Sequence, residues 1–428
     1  METPLQAPRG TRDILPEYQP AWSLAVSTAE RIARQFGFSP ITVPSYEDVR
    51  LFQRSLGEGT DVIDKELFLV RGVQGEADAA PYALRPEGTA GIVRSYIQHG
   101  LHTRPQPVKV FSILSLFRYD RPQKGRYREH VQFDLEYFGD TGPFADAWVI
   151  YTTYTFYRSL GLQNLKLKLN SLGTADERAA YRQKLTDYLQ PLADQLSQDS
   201  KRRLTTNPLR VLDSKDRGDA AVTAHAPHLW ESLGPESRQH IDSVCRFLDN
   251  WHIPYFIDHF LVRGLDYYCH TAFEWVVEGK EGQQSSLGGG GRYDGLLTQL
   301  GGASVGAVGA GLGLDRVIEE MEAQNVPIDP FPPAHCYVAT AGSDTHAFAQ
   351  EIISTLLSSG CTVEANFSRT NLGNHLKQAH RLGIAKVILV GSDEAARRIL
   401  AVKDLSTGEQ TNYSYPDQVE ELVSQMML

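Results

Sequence analysis

The segment Leu116–Glu129, LFRYDRPQKGRYRE, constrains this chain more than any other part of it. It is a basic loop held between two apolar, strand-like runs, Val108–Phe117 (VKVFSILSLF) and Val131–Phe138 (VQFDLEYF). Gly125 sits near its middle, so the unit reads as a long hairpin with a cationic tip. Eight Lys/Arg and a single acid, Asp120, fall between Arg94 and Arg128. A run made for solubility would mix its signs. This one suits phosphates, because a guanidinium fork donates bidentately and does not lose its charge. A solvated, salt-bridged loop is the plainer alternative and ranks second.

At 428 residues the chain predicts two or three domains, with apolar content enough for a sizeable core. No apolar run reaches a membrane span, and METPLQAPRG lacks the core of a signal peptide. Cys245, Cys269, Cys336 and Cys361 form no CxxC pair, so neither a zinc site nor a disulfide framework is indicated. They read as reduced thiols of a cytoplasmic protein. The net charge of −10 argues against a protein that coats nucleic acid. Local binding survives, because screening confines surface charges to roughly 8–10 Å. A second basic cluster, seven Lys/Arg against Asp393 and Glu394, runs from Arg369 to Lys403.

Apolar residues at helical spacing predict a helix over Pro20–Gly37 and another over Asp146–Ser159, with a strand at Leu165–Asn170. From Thr174 to about Asn250 the chain is polar and helix-rich, which reads as an inserted helical subdomain. Strands return at Ile253–Val262 and Thr271–Val277. A glycine-rich segment, Leu287–Gly295, follows, then a small-residue run that opens a helix near Arg316. NVPIDPFPP (Asn325–Pro333) reads as a linker. Beyond it, strand and helix patterns alternate, as in a compact three-layer α/β domain. The boundaries expected are 1–170 with 251–325 for a core, 171–250 for the insertion, 326–333 for the linker and 334–428 for the last domain.

Four further segments carry chemistry-bearing residues. LRPEGTAG (Leu84–Gly91) sets Glu87 and Thr89 on a turn that opens a helix; by itself it is as well explained as a helix N-terminus. QFDLE (Gln132–Glu136) alternates, so Gln132, Asp134 and Glu136 share one strand face, either a site floor or a solvent-facing edge. LVRGLDYY (Leu261–Tyr268) joins Arg263 to Tyr267 and Tyr268, an unusual mixture for a core. GGGGRYD (Gly288–Asp294) and GAGLGLDR (Gly309–Arg316) bring backbone close to a ligand, although neither is a P-loop.

Taken in order, these segments resemble the histidyl-tRNA synthetase family of class II aminoacyl-tRNA synthetases. The matching stretches are RGTRDILP (Arg9–Pro16), LRPEGTAG, FRYDRPQKGRYRE (Phe117–Glu129), NPLRVLDSK (Asn207–Lys215), LVRGLDYY, GGRYDGL (Gly290–Leu296) and GLGLDR (Gly311–Arg316). The resemblance implies an α+β protein: a class II antiparallel-sheet catalytic core with a helical insertion, then an α/β anticodon-binding domain. It implies ATP carrying Mg2+, L-histidine and tRNA(His) as partners, a homodimer, no membrane, and no metal held by protein ligands alone. Carried over by position, Arg118 and Arg263 act catalytically at the α-phosphate. Arg118, Arg126, His130 and Arg316 bind ATP. Glu87, Thr89 and Gln132 hold the α-amino group, while Glu136, Tyr267, Tyr268 and Tyr293 surround the imidazole. Gln123, Lys124 and Arg128 meet the tRNA acceptor end.

The chain departs from the family pattern at several places. His130 stands where phenylalanine commonly stacks on adenine, Val131 replaces a usual histidine, Asp134 replaces a small residue, and Ala310 replaces a bulky aromatic. The alternative reading is the synthetase-like regulatory subunit of ATP phosphoribosyltransferase. That paralogue typically lacks the last domain and erodes the arginine positions, both of which are present here.

Overall fold

The computed structural model describes residues 4–56, 62–70, 82–122, 125–212, 214, 216–262, 267–280, 286–368 and 371–427. The chain divides into two compact units, Met1–Ile328 and Asp329–Leu428.

In the first unit, β1 (Ser39–Pro40) is followed by a small antiparallel sheet of β2 (Tyr46–Asp48), β3 (Leu69–Val70) and β4 (Tyr82–Leu84). Then come β5 (Val108–Phe117), β6 (Glu129–Phe138), β7 (Leu165–Ser171), β8 (Tyr255–Ile257), β9 (Cys269–Val277), β10 (Ser286–Arg292) and β11 (Ala307–Gly313). With β1 they form an eight-stranded sheet in the order β1-β5-β6-β11-β10-β9-β7-β8. Pairing is antiparallel throughout except for β1 on β5 and β8 on β7. The basic hairpin is β5–β6, in unbroken register from Val108 opposite Phe138 to Phe117 opposite Glu129.

Alternation along β6 divides its side chains between two environments. Phe133 and Leu135 are fully buried against the helices Gln19–Gln35, Pro143–Ser159, Pro235–Asn250 and Leu314–Ala323. Each such side chain contributes roughly 1.5–3 kcal/mol by leaving water. Phe138, on the other face, packs with Val93 and Tyr96 of the helix Thr89–Gln98. Between β7 and β8 the described residues form helices and 3-10 turns without a strand. A capping box of Thr174 and Glu177 starts the first of them. The last, Pro235–Asn250, lies behind the sheet, with Ile241, Val244 and Leu248 in the core there.

Two local expectations are corrected. Ile253–Val262 is extended only over Tyr255–Ile257, because Asp258 accepts from the Phe260 and Leu261 amides and turns the chain. The small-residue run before Arg316 is not the start of a helix but β11, and the helix begins at Leu314. Gly309, Gly311 and Gly313 pair with Glu136, Asp134 and Gln132 of β6. A Cβ at Gly309 would collide with the Glu136 carboxylate, and one at Gly311 with the Gln132 amide. Ala310 points the other way, into the core with Phe133 and Leu135, so the missing aromatic there leaves the polar face unchanged.

The second unit is a five-stranded mixed sheet of β12 (Cys336–Thr340), β13 (Val363–Ala365), β14 (Lys386–Val390), β15 (Ile399–Asp404) and β16 (Gln410–Ser414). Its order is β13-β12-β14-β15-β16, parallel around β12 and antiparallel beyond β14. The helices His346–Ser358 and Val419–Met427 share one core, and Leu372–Arg381 shares another. Lys386 pairs with Asp404 at 2.7 Å and Arg398 with Glu351 at 2.6 Å, so part of the C-terminal basic cluster is spent inside this unit.

Arg292 ties the end of β10 to the N-terminus of the helix Pro143–Ser159. Its guanidinium is fully buried and bonds the Asp146 carboxylate, Asp294 and the carbonyls of Asp140 and Gly142. Burial opposes ionisation of Asp146, yet the Arg292 charge outweighs it and holds that carboxyl at about 2. Asp146→Ala removes the fully buried carboxylate facing Arg292 and leaves Asp294 as its counter-charge, and is expected to cost ~3 kcal/mol of stability. Urea denaturation reads this; a loss below ~1 kcal/mol would show that Asp294 and the carbonyl acceptors suffice.

Candidate active site

Between the β5–β6 connection, β10, the end of β11 and the first turn of the helix Leu314–Ala323 lies a cavity of about 200 Å³. Its walls include Arg118, Arg126, His130, Gln132, Leu287, Gly311 and Arg316. Each arginine is placed by a named contact. Arg118 donates Nε to the Pro86 carbonyl at 2.7 Å. Arg126 is ion-paired with Asp120 and stands 3.9 Å from Glu66. Arg316 donates to the carbonyls of Gly125 and Ser286, both at 2.9 Å. Burial, then the charges of Arg126 and Arg118, push Arg316 below its ordinary value. Like charges crowded around a cavity are relieved by an anion. His130 is pushed down to about 3 by burial and by the same three arginines. Its ring is neutral at physiological pH and so suited to stacking on a flat heterocycle.

Gln132 leads from this cavity to a buried acidic compartment. Glu87, Asp134 and Glu136 are 4%, 1% and 1% exposed. Glu136 accepts from the Thr89 hydroxyl at 2.6 Å and from the Tyr293 hydroxyl. Glu87 accepts from the Ala90 amide at 2.8 Å, at the N-terminus of the helix Thr89–Gln98. Asp134 accepts from the Gln132 amide nitrogen. Burial raises all three carboxyls: Asp134 to about 7, Glu136 well above its usual range, and Glu87 against the opposing Ala90 amide and Arg118 charge. Tyr267, Tyr268 and Tyr293 wall this compartment with ring centroids 4.7 Å and 5.7 Å apart. The geometry suits a ligand whose cationic end enters the carboxylates while its anionic end meets the arginines.

The structure brings together Arg118, Arg126, His130 and Arg316, and beside them Glu87, Thr89, Gln132, Glu136, Tyr267, Tyr268 and Tyr293. Thr89, expected at the α-amino group, donates to Glu136. Tyr293, expected in the imidazole pocket with Tyr268, donates to the second Glu136 oxygen, and the Tyr268 ring packs where a Cβ on Gly291 would stand. Arg263, Gln123 and Lys124 lie outside the described residues. Arg128 is engaged locally. Its guanidinium covers the Tyr119 ring at 3.8 Å, its Nε donates to Asp120 O, and its amide donates to Gly10 O at 2.7 Å.

Arg12, Tyr127 and Asp315 escaped the reading of the sequence. Arg12 pairs with Asp315 at 2.9 Å and covers the Tyr127 ring at 4.3 Å, while Asp315 accepts from the Val131 amide. This clamp joins three segments beside Arg316. All three lie in quoted motifs, RGTRDILP, FRYDRPQKGRYRE and GLGLDR, but their pairing across the chain leaves no local signal.

An antiparallel sheet that carries an arginine-lined cavity, in a chain with a separate α/β unit, is the architecture of a class II aminoacyl-tRNA synthetase. Residues 10–317 match the family model for histidyl-tRNA synthetase, and residues 335–425 match that for the anticodon binding domain. The histidine–tRNA ligase of Synechococcus sp. (strain JA-3-3Ab) is 41% identical over 421 residues, 98% of this chain and 99% of that one. That of Protochlamydia amoebophila is 39% identical over 411 residues, covering 94% and 96%. The crystal structure of apo S. aureus histidyl-tRNA synthetase superposes with a TM-score of 0.81 at 31% identity, over 99% of this chain and 100% of that one. The chain belongs to the histidyl-tRNA synthetase family. A Bacillus halodurans protein described as an ATP phosphoribosyltransferase regulatory subunit/histidyl-tRNA synthetase shares the fold, with a TM-score of 0.64 at 20% identity over 92% of this chain and 100% of that one.

The buried acids also bear on stability. Asp134 titrates near 3.8 when unfolded and near 7 when folded, so the folded state holds the extra proton between those values and stability falls as pH rises through about 7. His130, buried neutral, acts in the opposite sense, but its contribution is complete above the unfolded value of 6.5. Thermal melts of the ligand-free protein from pH ~6.5 to ~8 should therefore decline, and Asp134→Asn should decline less steeply. Parallel slopes would show that Asp134 does not titrate in this window.

Proposed function

We propose that this chain is a histidine–tRNA ligase whose adenylating site is the paired cavity and acidic compartment on the β6 face. The observation that carries this reading is the convergence of Arg118, Arg126 and Arg316 at one cavity, with a buried carboxylate compartment reached through Gln132. Histidine lies with its α-ammonium at Glu87 and Gln132 and its ring among Glu136, Tyr267, Tyr268 and Tyr293. Imidazole offers a donor on one nitrogen and an acceptor on the other, and carboxylate and phenol groups satisfy both. A pocket built on such bonds rejects apolar amino acids by ~10⁴–10⁵.

The histidine carboxylate attacks the α-phosphate of ATP. The bond to the bridging oxygen breaks, pyrophosphate leaves, and histidyl-adenylate remains. A hydroxyl of the tRNA's 3′-terminal adenosine then attacks the carbonyl carbon, releasing AMP. Arg118 and Arg263 hold the α-phosphate as negative charge shifts onto the leaving group, Arg126 and Arg316 hold the phosphate tail, and neutral His130 stacks on adenine. Preorganised cations matter most in such a step, which is governed by positioning and electrostatics. Mg2+ travels on the nucleotide's phosphates: Asp120 and Asp315, the carboxylates that line the cavity, are already taken by Arg126 and Arg12.

Gln123, Lys124 and Arg128 meet the acceptor end of tRNA(His). Residues 1–170 and 251–325 form the adenylating core, 171–250 the insertion, and 334–428, after the linker 326–333, the anticodon reader. The working form is a cytoplasmic homodimer. No helix among the described residues is long and apolar enough to cross a membrane. The regulatory-subunit reading is not favoured, because the C-terminal unit and the arginine set are both present.

The direct test is ATP–pyrophosphate exchange by the purified chain, which should require L-histidine and ignore other amino acids. Arg118→Ala should lower exchange by ~10²–10³ while leaving the melting temperature near wild type. Exchange with an amino acid other than histidine, or near-normal exchange in Arg118→Ala, would overturn the assignment. A chain ending at Ile328 should keep measurable exchange but lose most tRNA charging, because phosphate contacts supply much of the affinity. A well-folded truncation that charges tRNA at the full-length rate would exclude an anticodon role for the second unit.

A further inference from the structure

Asp134 is the one acid of the buried compartment that the reading above leaves without a role. It sits two residues from Gln132 on β6, so both side chains share a face. Gln132 lines the cavity, whereas Asp134 lies below it at 1% exposure. The Gln132 amide nitrogen donates to Asp134 Oδ1 at 2.5 Å. A carboxylate has no proton to give, so it selects the nitrogen end of that amide and turns the oxygen end away. We propose that Asp134 is a positioning residue for amino-acid recognition, holding Gln132 so that its amide oxygen, an acceptor, faces the ligand's α-ammonium. This rests on the reading that Gln132 holds the α-amino group.

A second observation separates Asp134 from an ordinary structural acid. Its Oδ2 is buried and has no hydrogen-bond partner among the described residues. It faces Gly88, where a Cβ would collide with it, in the turn between Glu87 and Thr89. A carboxylate kept for the fold alone would have both oxygens satisfied, because an unpaired buried one is costly. The titratable and charged groups around it are Glu87, Arg85 and Arg118 from the adjoining segments and Glu136 on its own strand. Arg85 attracts it without bonding it, since the Arg85 fork donates to the carbonyls of Ser115, Val43 and Pro44. Gly311 on β11 gives the pair room: a Cβ there would collide with the Gln132 amide and stand 3.0 Å from Asp134 Oδ1.

The arrangement depends on ionisation. Burial lifts the Asp134 carboxyl to about 7, with the Gln132 bond opposing and Glu87 adding. Protonated Asp134 gains a donor, so it can pair with the amide oxygen of Gln132, and the amide then presents its NH2 to an ammonium that it repels. Recognition of the α-amino group should therefore weaken on acidification through neutrality.

The test uses full-length enzyme and histidine-dependent pyrophosphate exchange, with histidine and ATP varied separately. Asp134→Asn keeps the shape but accepts or donates equally well, so it should raise KM for histidine ~tenfold or more and KM for ATP far less. Gln132→Ala should raise the histidine KM as well, and the double variant should be little worse than Gln132→Ala alone. The wild-type to Gln132→Ala ratio of kcat/KM for histidine cancels the ligand's own titration. It should fall between pH ~8 and ~6. A full additional loss in the double variant, an unchanged histidine KM in Asp134→Asn, or a flat ratio would each overturn the role of Asp134. A normal histidine KM in Gln132→Ala would instead remove the Gln132 assignment, and the positioning role with it. The pH ratio needs no Asp134 variant, so it decides the matter even where Asp134→Asn folds poorly.

Discussion

Glu136 can be buried at the centre of an antiparallel sheet only because the neighbouring strand is glycine wherever it passes a polar side chain. Gly309 of β11 clears space for the Glu136 carboxylate, and Gly311 for the Gln132 amide and Asp134. On the opposite face Ala310 and Leu312 close the core with Phe133 and Leu135. One strand is thereby dry and apolar on one side and dry and ionisable on the other. Glycine weakens a strand, yet here the pairing with β6 and β10 on both sides supports it.

From that clearance the electrostatics follow. Burial raises the pKa of the three carboxyls and, with its arginine neighbours, lowers that of Arg316. The two groups lie side by side, joined through Gln132. On the function proposed above, a ligand with an ammonium at one end and phosphates at the other meets both. The scaffold around the site has well-satisfied contacts: the buried Arg292–Asp146 pair behind it and the Arg12–Asp315–Tyr127 clamp beside it. A neutral His130 completes the change in character, since burial first, and then the charges of Arg118, Arg316 and Arg126, keep its ring uncharged.

Much of the architecture was legible in residue patterns. The shared face of Gln132, Asp134 and Glu136 follows from period-2 alternation, and the β5–β6 hairpin and the strands Cys336–Thr340 and Lys386–Val390 from short apolar runs bounded by polar or turn residues, all of them local properties. The small-residue run before Arg316 was misread as a helix start. Glycine carries no periodic hydrophobic signal, and what makes it a strand is the need of β6 for a flat neighbour. The length of β8 was overestimated for a similar reason, because one Asp258 side chain redirects the backbone.

The amino-acid order by itself determined the cationic hairpin, the polar strand face and the ordered motifs that mark the family, since each depends on spacing along a few residues. The tertiary structure decided what those groups do to one another. Arg12 meets Asp315 across 303 residues, and Tyr293 meets Glu136 across 157. Arg128, on the loop between β5 and β6, lays its guanidinium over the Tyr119 ring and ties its backbone amide to Gly10, contacts that the loop's sequence does not announce. The ionisation of His130, Asp134 and Glu136 was likewise invisible in the sequence, because it depends on how much water is excluded and on which charges folding brings near.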